Sequence, residues 1–109
     1  MNLEEEQASR EPQGVNEFTL SAKLIAKSVL RYTPAGLPVC DFELEHDSVQ
    51  LEATKPRQVR CTVRAVALGA AANQVEGLSL GVERVWVGFM ALRSHTSKSL
   101  RFHVCAVRT

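Results

Sequence analysis

Residues 39–50 read Val-Cys-Asp-Phe-Glu-Leu-Glu-His-Asp-Ser-Val-Gln. Cys40, Phe42 and Leu44 alternate with Asp41, Glu43 and Glu45. Successive side chains of a strand point to opposite faces, so this alternation describes a half-buried strand with one apolar and one charged face. The stretch before it, Thr33-Pro34-Ala35-Gly36-Leu37-Pro38, holds two prolines and a glycine and must turn the chain. Further back, residues 18–32 place Leu20, Ala22, Leu24 and Ala26 on one side and Lys23 and Lys27 on the other, which predicts a first strand.

Working forward, residues 51–57, LEATKPR, read as a loop in which Pro56 blocks regular pairing. Residues 58–68 give a third strand, with Val59, Cys61 and Val63 on one face and Arg60, Thr62 and Arg64 on the other. Residues 69–78 are alanine-rich between Gly69 and Gly77 and predict a short helix. Residues 83–93 form a fourth strand, apolar on both faces, with Gly88 marking a bulge or bend. A polar loop from Ser94 to Ser99 leads to a last strand, Leu100 to Arg108. The order β-β-β-α-β-β is that of an OB-fold: an all-β, five-stranded Greek-key barrel with a short helix between strands three and four. Trp86 is open between the core, a subunit contact and a base-stacking place on the DNA face, and Phe42 is expected in the core. Of Trp86 and Phe89, which fall on opposite faces, one is expected to be exposed.

The chain has 109 residues, 45% of them apolar, which suits one domain with one core. No apolar run is long enough to cross a bilayer and the start lacks a signal-peptide layout, so a cytoplasmic location without membrane attachment is expected. Residues 1–17 hold five glutamates against one arginine, a net −4, whereas residues 18–109 hold twelve bases against seven acids, a net +5. We therefore expect a flexible acidic tail over residues 1–15 and a basic domain over 16–109, which raises the prospect of a polyanionic partner. Cys40, Cys61 and Cys105 show no metal-ligand spacing and are expected as reduced, buried thiols; no metal and no cofactor are implied.

The segment from Leu20 to Gln50 resembles the primosomal replication protein N family. The resemblance lies in Leu20-Ser21-Ala22, in the Pro34-Ala35-Gly36-Leu37-Pro38 turn, and in a Cys-x-Phe-x-Leu-Glu-His-x-Ser-x-Gln run from Cys40 to Gln50. It continues more weakly through Gln58 to Cys61, Gly88-Phe89 and Leu100 to Val107, and covers all but the acidic tail. It implies an OB barrel related to single-stranded DNA-binding protein, assembled as a homodimer. It also implies a role in replication restart: binding single-stranded DNA and the PriA helicase, and promoting primosome assembly at stalled forks with other primosome proteins. No catalytic residues are implied.

Single-stranded DNA is held by cations that neutralise phosphate and by aromatics that stack on bases. The candidate DNA-binding cations are Lys55, Arg57, Arg60 and Arg64 around strand three, and Arg93, His95, Lys98 and Arg101 on and beside the last loop, a gripping element of OB-folds. Arg31, at the end of strand one, stands where the family has a basic residue used for DNA. A solvated barrel face and a mobile polar loop are the competing readings of these positions, and Lys23 and Lys27 are open between DNA, a dimer contact and solvent. Lys55 and Arg60 occupy places where well-studied members carry an aromatic and a tryptophan, and Asp47 stands where they carry a base. Weaker binding with a steeper salt dependence is expected. Tyr32 is a further stacking candidate. Cys40, Cys61, Cys105, His46, His95 and His103 form no catalytic motif, so the chain is not expected to be an enzyme. A general single-stranded DNA-binding protein, which usually carries a long acidic tail after the barrel, and a protein-interaction adaptor remain the alternatives.

Overall fold

The computed structural model describes residues 11–109. The elements are β1 (Phe18–Lys27), β2 (Arg31–Tyr32), β3 (Pro38–Glu52), β4 (Lys55–Leu68), α1 (Ala70–Glu76), β5 (Glu83–Leu92) and β6 (Leu100–Arg108). They form one sheet in the order β1-β5-β6-β4-β3-β2, which an added β1–β3 pairing closes into a barrel. The five long strands and the helix follow the expected OB-fold order. The first expected strand is broken: Ser28 to Leu30 leave the ladder, and only Arg31 and Tyr32 resume it against β3.

Closure depends on two irregularities. β1 pairs with β5 from Phe18 to Lys23 and with β3 from Lys23 to Lys27, and its register slips between Leu24 and Ala26. A bulge there bends the strand from one partner to the other. The second slip lies between Val87 and Gly88 against β6. A Cβ on Gly88 would lie 1.8 Å from the carbonyl oxygen of His103, so only glycine allows this approach.

The inward residues pack as the alternation requires. Leu24, Cys40, Leu44, Ala72, Val75, Trp86 and Phe102 are fully buried. Trp86 stands in the core, its indole Nε1 donating to the Ala22 carbonyl at 3.0 Å, so its polar atom is satisfied where no water reaches. Phe42 tilts against it at 5.5 Å, and Phe18 meets Phe102 edge-on at 4.6 Å. Burying a phenylalanine of this kind contributes about 1.5–3 kcal/mol. Helix α1 seals one end through Ala71, Ala72 and Val75. The Glu76 carbonyl at its C-terminus and the Leu78 carbonyl just beyond it accept hydrogen bonds from the Lys27 ammonium, a cation placed where the helix dipole favours one.

Two expectations are corrected. Residues 51–57 are not a loop. β3 and β4 pair without interruption from Val39↔Leu68 to Glu52↔Lys55, and only Ala53 and Thr54, with φ of 51° and 67°, make the turn. A two-residue turn makes Glu52–Lys55 a hydrogen-bonded pair and the next, Leu51–Pro56, a non-hydrogen-bonded one, so the missing N–H of Pro56 costs the ladder nothing. The two strands thus run beyond the barrel as a ribbon, since β1 reaches only Glu45 and β6 touches β4 only at Ala65 and Val66. Cys61 and Cys105 are exposed, and only Cys40 is a buried thiol. Cys61 has the inward parity but sits on the ribbon, where there is no core. Cys105 is the extra residue of the β6 bulge, between Val104 and Ala106. The tail expected over residues 1–15 lies, for residues 1–10, outside the described residues; residues 11–17 are exposed and without strand or helix.

Replacing Gly88 by alanine should push β6 from β5 and destabilise the fold by about 2 kcal/mol or more. Urea unfolding checks this, and an unchanged midpoint would contradict the contact.

Candidate nucleic-acid interface

An open groove of about 860 Å³ runs between the end of β1, the outward faces of β3 and β4, and the β5–β6 loop. Its walls carry five cations, Lys27, Arg31, Arg64, Arg93 and Arg101, against two acids, Asp41 and Glu43, an excess of three positive charges. A cleft of one sign raises the local concentration of polyanions.

The register of the hairpin builds one wall. Outward residues of β3 are odd-numbered and those of β4 even-numbered, so Glu43 faces Arg64 and Asp47 faces Arg60 directly across the strands. Both become ion pairs, at 3.9 Å and 3.0 Å. Arg31 grips Asp41 through Nε at 2.9 Å and Nη2 at 3.4 Å. On the opposite face of the ribbon, Arg57 pairs with Glu52 at 3.0 Å. The hydrogen bonds from Arg60 and then Gln58 hold the Asp47 carboxyl below its ordinary range, and the Asp41 hydrogen bond raises Arg31 above its own.

The other wall is the loop. Its ends are tied by the Arg93 amide donating to the Ser99 carbonyl at 3.0 Å, and the Ser97 amide donates to Ser94 at 3.2 Å. Arg93 and Arg101 line the groove and have no acidic partner among the described residues.

Of the nine cations singled out in the sequence, the groove therefore gathers Arg31, Arg64, Arg93 and Arg101. His95 and Lys98 are exposed on the loop but do not line the groove. Arg60 lies on the same outward face, farther along the ribbon, and Lys55 and Arg57 sit on the ribbon's other face near its tip. Lys27 lines the groove, with its ammonium committed to the helix carbonyls. Tyr32, beside Arg31, is 64% exposed.

Two features were not visible as such in the sequence. His46 is buried; its Nδ1–H donates to the Ser21 carbonyl at 2.6 Å, and its Nε2 accepts from the Ser48 hydroxyl at 2.7 Å. Ser48 in turn accepts from the Gln50 amide at 3.0 Å. A carbonyl can only accept, so Nδ1 carries the hydrogen, and in the neutral imidazole Nε2 is then the acceptor for Ser48. The His-x-Ser-x-Gln spacing is thus a relay along one strand face that moors the root of the ribbon to β1. Its period of two was the available signal. The second feature is the partner of Phe89, not its exposure, which was expected of Phe89 or Trp86: the ring is 37% exposed and stacked on His103 at 5.1 Å, two positions along β6 from Arg101 and on the same face. This places an aromatic platform next to a groove cation.

Residues 16–106 match the family model described as another single-strand binding protein family. The chain is 37% identical over 94 residues to the replication restart protein PriB of Bordetella pertussis, covering 86% of this chain and 88% of that one. It belongs to the PriB family. The PriB of Photobacterium profundum is 40% identical over 81 residues, 72% of this chain and 77% of that one. The PriB structure from Ralstonia solanacearum superimposes with a TM-score of 0.81 at 34% identity, over 87% of this chain and 97% of that one. The single-stranded DNA binding protein of Thermus aquaticus shares the fold, with a TM-score of 0.68 at 23% identity over 88% of this chain and 50% of that one. The PriB architecture is therefore that of an SSB-type OB barrel.

His103 carries the most legible titration behaviour. Burial, with the Leu92 carbonyl pulling the other way, lowers its pKa from 6.5, and its Nε2 is buried without a partner among the described residues. The folded chain binds this proton more weakly than the unfolded chain, so the stabilisation is complete above about pH 6.5 and is lost as pH falls through the lowered value. The melting temperature should fall on acidification below about pH 6.5, less so in His103→Gln. Superimposable acid limbs in a pH series of melting curves would refute this.

Proposed function

We propose that this PriB-family chain binds single-stranded DNA in the groove between the β5–β6 loop and the outward face of β3 and β4. It does so as a non-enzymatic accessory protein of the replication-restart primosome. The observation that carries the reading is the pair of arginines without acidic partners, Arg93 and Arg101, set across a cationic groove from Arg31 and Arg64 on an OB barrel. Phosphates track these cations, and Phe89 and Tyr32 are the exposed rings on which bases stack, each such contact giving about 1–3 kcal/mol. His95 and Lys98 add charge from the loop, and Arg60 extends the outward face along the ribbon for longer strands, whereas Lys55 and Arg57, on the ribbon's other face, lie off this path. The PriA helicase and other primosome proteins are its protein partners, the working form is a homodimer, and its place is the cytoplasm. Among the described residues no helix is long and apolar enough to cross a membrane.

A second reading, a protein-interaction adaptor with little DNA affinity, draws on one observation: four of the nine candidate cations are already paired with acids. Fluorescence anisotropy of a labelled oligothymidylate separates the two. With three to five phosphates held, the logarithmic salt slope is expected near about −2 to −3.5. Arg93→Ala/Arg101→Ala should lose about tenfold or more in affinity at low salt, for two charge-assisted contacts. Binding that ignores salt, or that survives the double substitution intact, would refute the groove. Helicase binding without DNA binding would establish the adaptor.

A further inference from the structure

We propose that Asp41, Glu43 and Asp47 form an acidic fence that competes with phosphate for the arginines of the groove face and so sets its affinity for single-stranded DNA. This rests on the groove being the DNA site.

These acids share the outward face of β3 with Glu45, which stands opposite Thr62, and each is tied to a different arginine: Arg31 at 2.9 Å, Arg64 at 3.9 Å and Arg60 at 3.0 Å. Counting from the hydrogen-bonded pair Glu52–Lys55, the pairs Glu43–Arg64 and Asp47–Arg60 fall at non-hydrogen-bonded positions. Cross-strand side chains lie nearest each other there, so acid and base are held together by the backbone register rather than by chance rotamers. Asp47 also accepts from Gln58 at 3.4 Å.

These pairs do little for the fold. Every member is between 43% and 70% exposed, and pairs this open contribute little stability. Their effect on binding is larger. A phosphate arriving at Arg31, Arg60 or Arg64 must displace a carboxylate or settle within a few ångströms of it. That is well inside the screening length of about 8–10 Å. Arg93 and Arg101 carry no such penalty. The face is therefore divided: a loop wall that takes phosphate at once, and a strand wall whose cations are available only when the DNA outcompetes the chain's own acids. A protein of this design holds its strand weakly and releases it readily.

The test is oligothymidylate anisotropy with Asp41→Asn, Glu43→Gln and Asp47→Asn, the isosteres that keep shape and remove charge. Glu83→Gln, at the start of β5 and away from the groove, is the control for net charge. Each fence variant should bind about three- to tenfold more tightly at low salt, as expected when an open ion pair and its repulsion of phosphate are both removed. The salt slope should steepen by about 0.7 for each phosphate gained, which a merely structural effect would not produce. Glu83→Gln should change affinity less than about twofold, as expected for a distant screened charge. Fence variants that bind no better than wild type, or a control that tightens equally, would overturn the fence. The groove reading would stand if binding still required Arg93 and Arg101. Absence of binding by wild type and every variant at low salt would overturn both.

Discussion

From Val39 to Glu52 on one side and Lys55 to Leu68 on the other, β3 meets β4 without a bulge, and that register governs both surfaces of the molecule. On the inward face it sets Cys40, Phe42 and Leu44 beside Ala65 and Ala67, where they close over Trp86. On the outward face the same register sets Glu43 opposite Arg64 and Asp47 opposite Arg60. A slip of one residue would turn the apolar set to solvent and dissolve the ion pairs together. The Ala53–Thr54 turn therefore matters beyond its size, because its two-residue length fixes the parity of every pair behind it.

The division of labour in the groove follows from this geometry. Arg31, Arg60 and Arg64 are placed by the ladders beside β3 and arrive with acids built in. Arg93 is placed by a few backbone hydrogen bonds across residues 93–99, Arg101 by its pairing with Ala91 in the β5–β6 ladder, and both arrive without them. The two walls meet because β6 leaves the loop to run beside β5, touching β4 at Ala65 and Val66. A barrel that joins β1 to β3 and β6 to β4 brings together, on one face, residues sixty or more positions apart.

Much of this was legible in the sequence where physics acts locally. The alternation of residues 39–50 marked the inward and outward faces of β3 and Gly88 marked the bulge, whereas Trp86, open in the sequence between core, subunit contact and DNA face, is placed in the core by its bond to the Ala22 carbonyl. The rest depended on pairing, which alternation does not report. Pro56 argued for a loop because a missing N–H matters in a ladder, but it matters only at hydrogen-bonded positions, and register alone decides which those are. Cys61 shared the parity of buried residues, yet burial needs a neighbour across the face, and the ribbon has none. The arginines were visible as cations. That Arg60 and Arg64 would each face an acid, and Arg31 and Arg57 reach one beside their own partners, was not, since both are statements about the partner strand. The His46–Ser48–Gln50 relay was visible only as a spacing until Ser21 supplied its end.

The proposed site holds single-stranded DNA in the groove between the β5–β6 loop and the outward wall of β3 and β4, not along the ribbon tip. Amide chemical-shift mapping during titration with an oligothymidylate tests it most directly. The largest changes should fall at residues 27–31, 41–43, 64–65 and 93–101, with little at 51–57. Changes concentrated on the ribbon tip, or on the β1–β5 face behind the barrel, would contradict it.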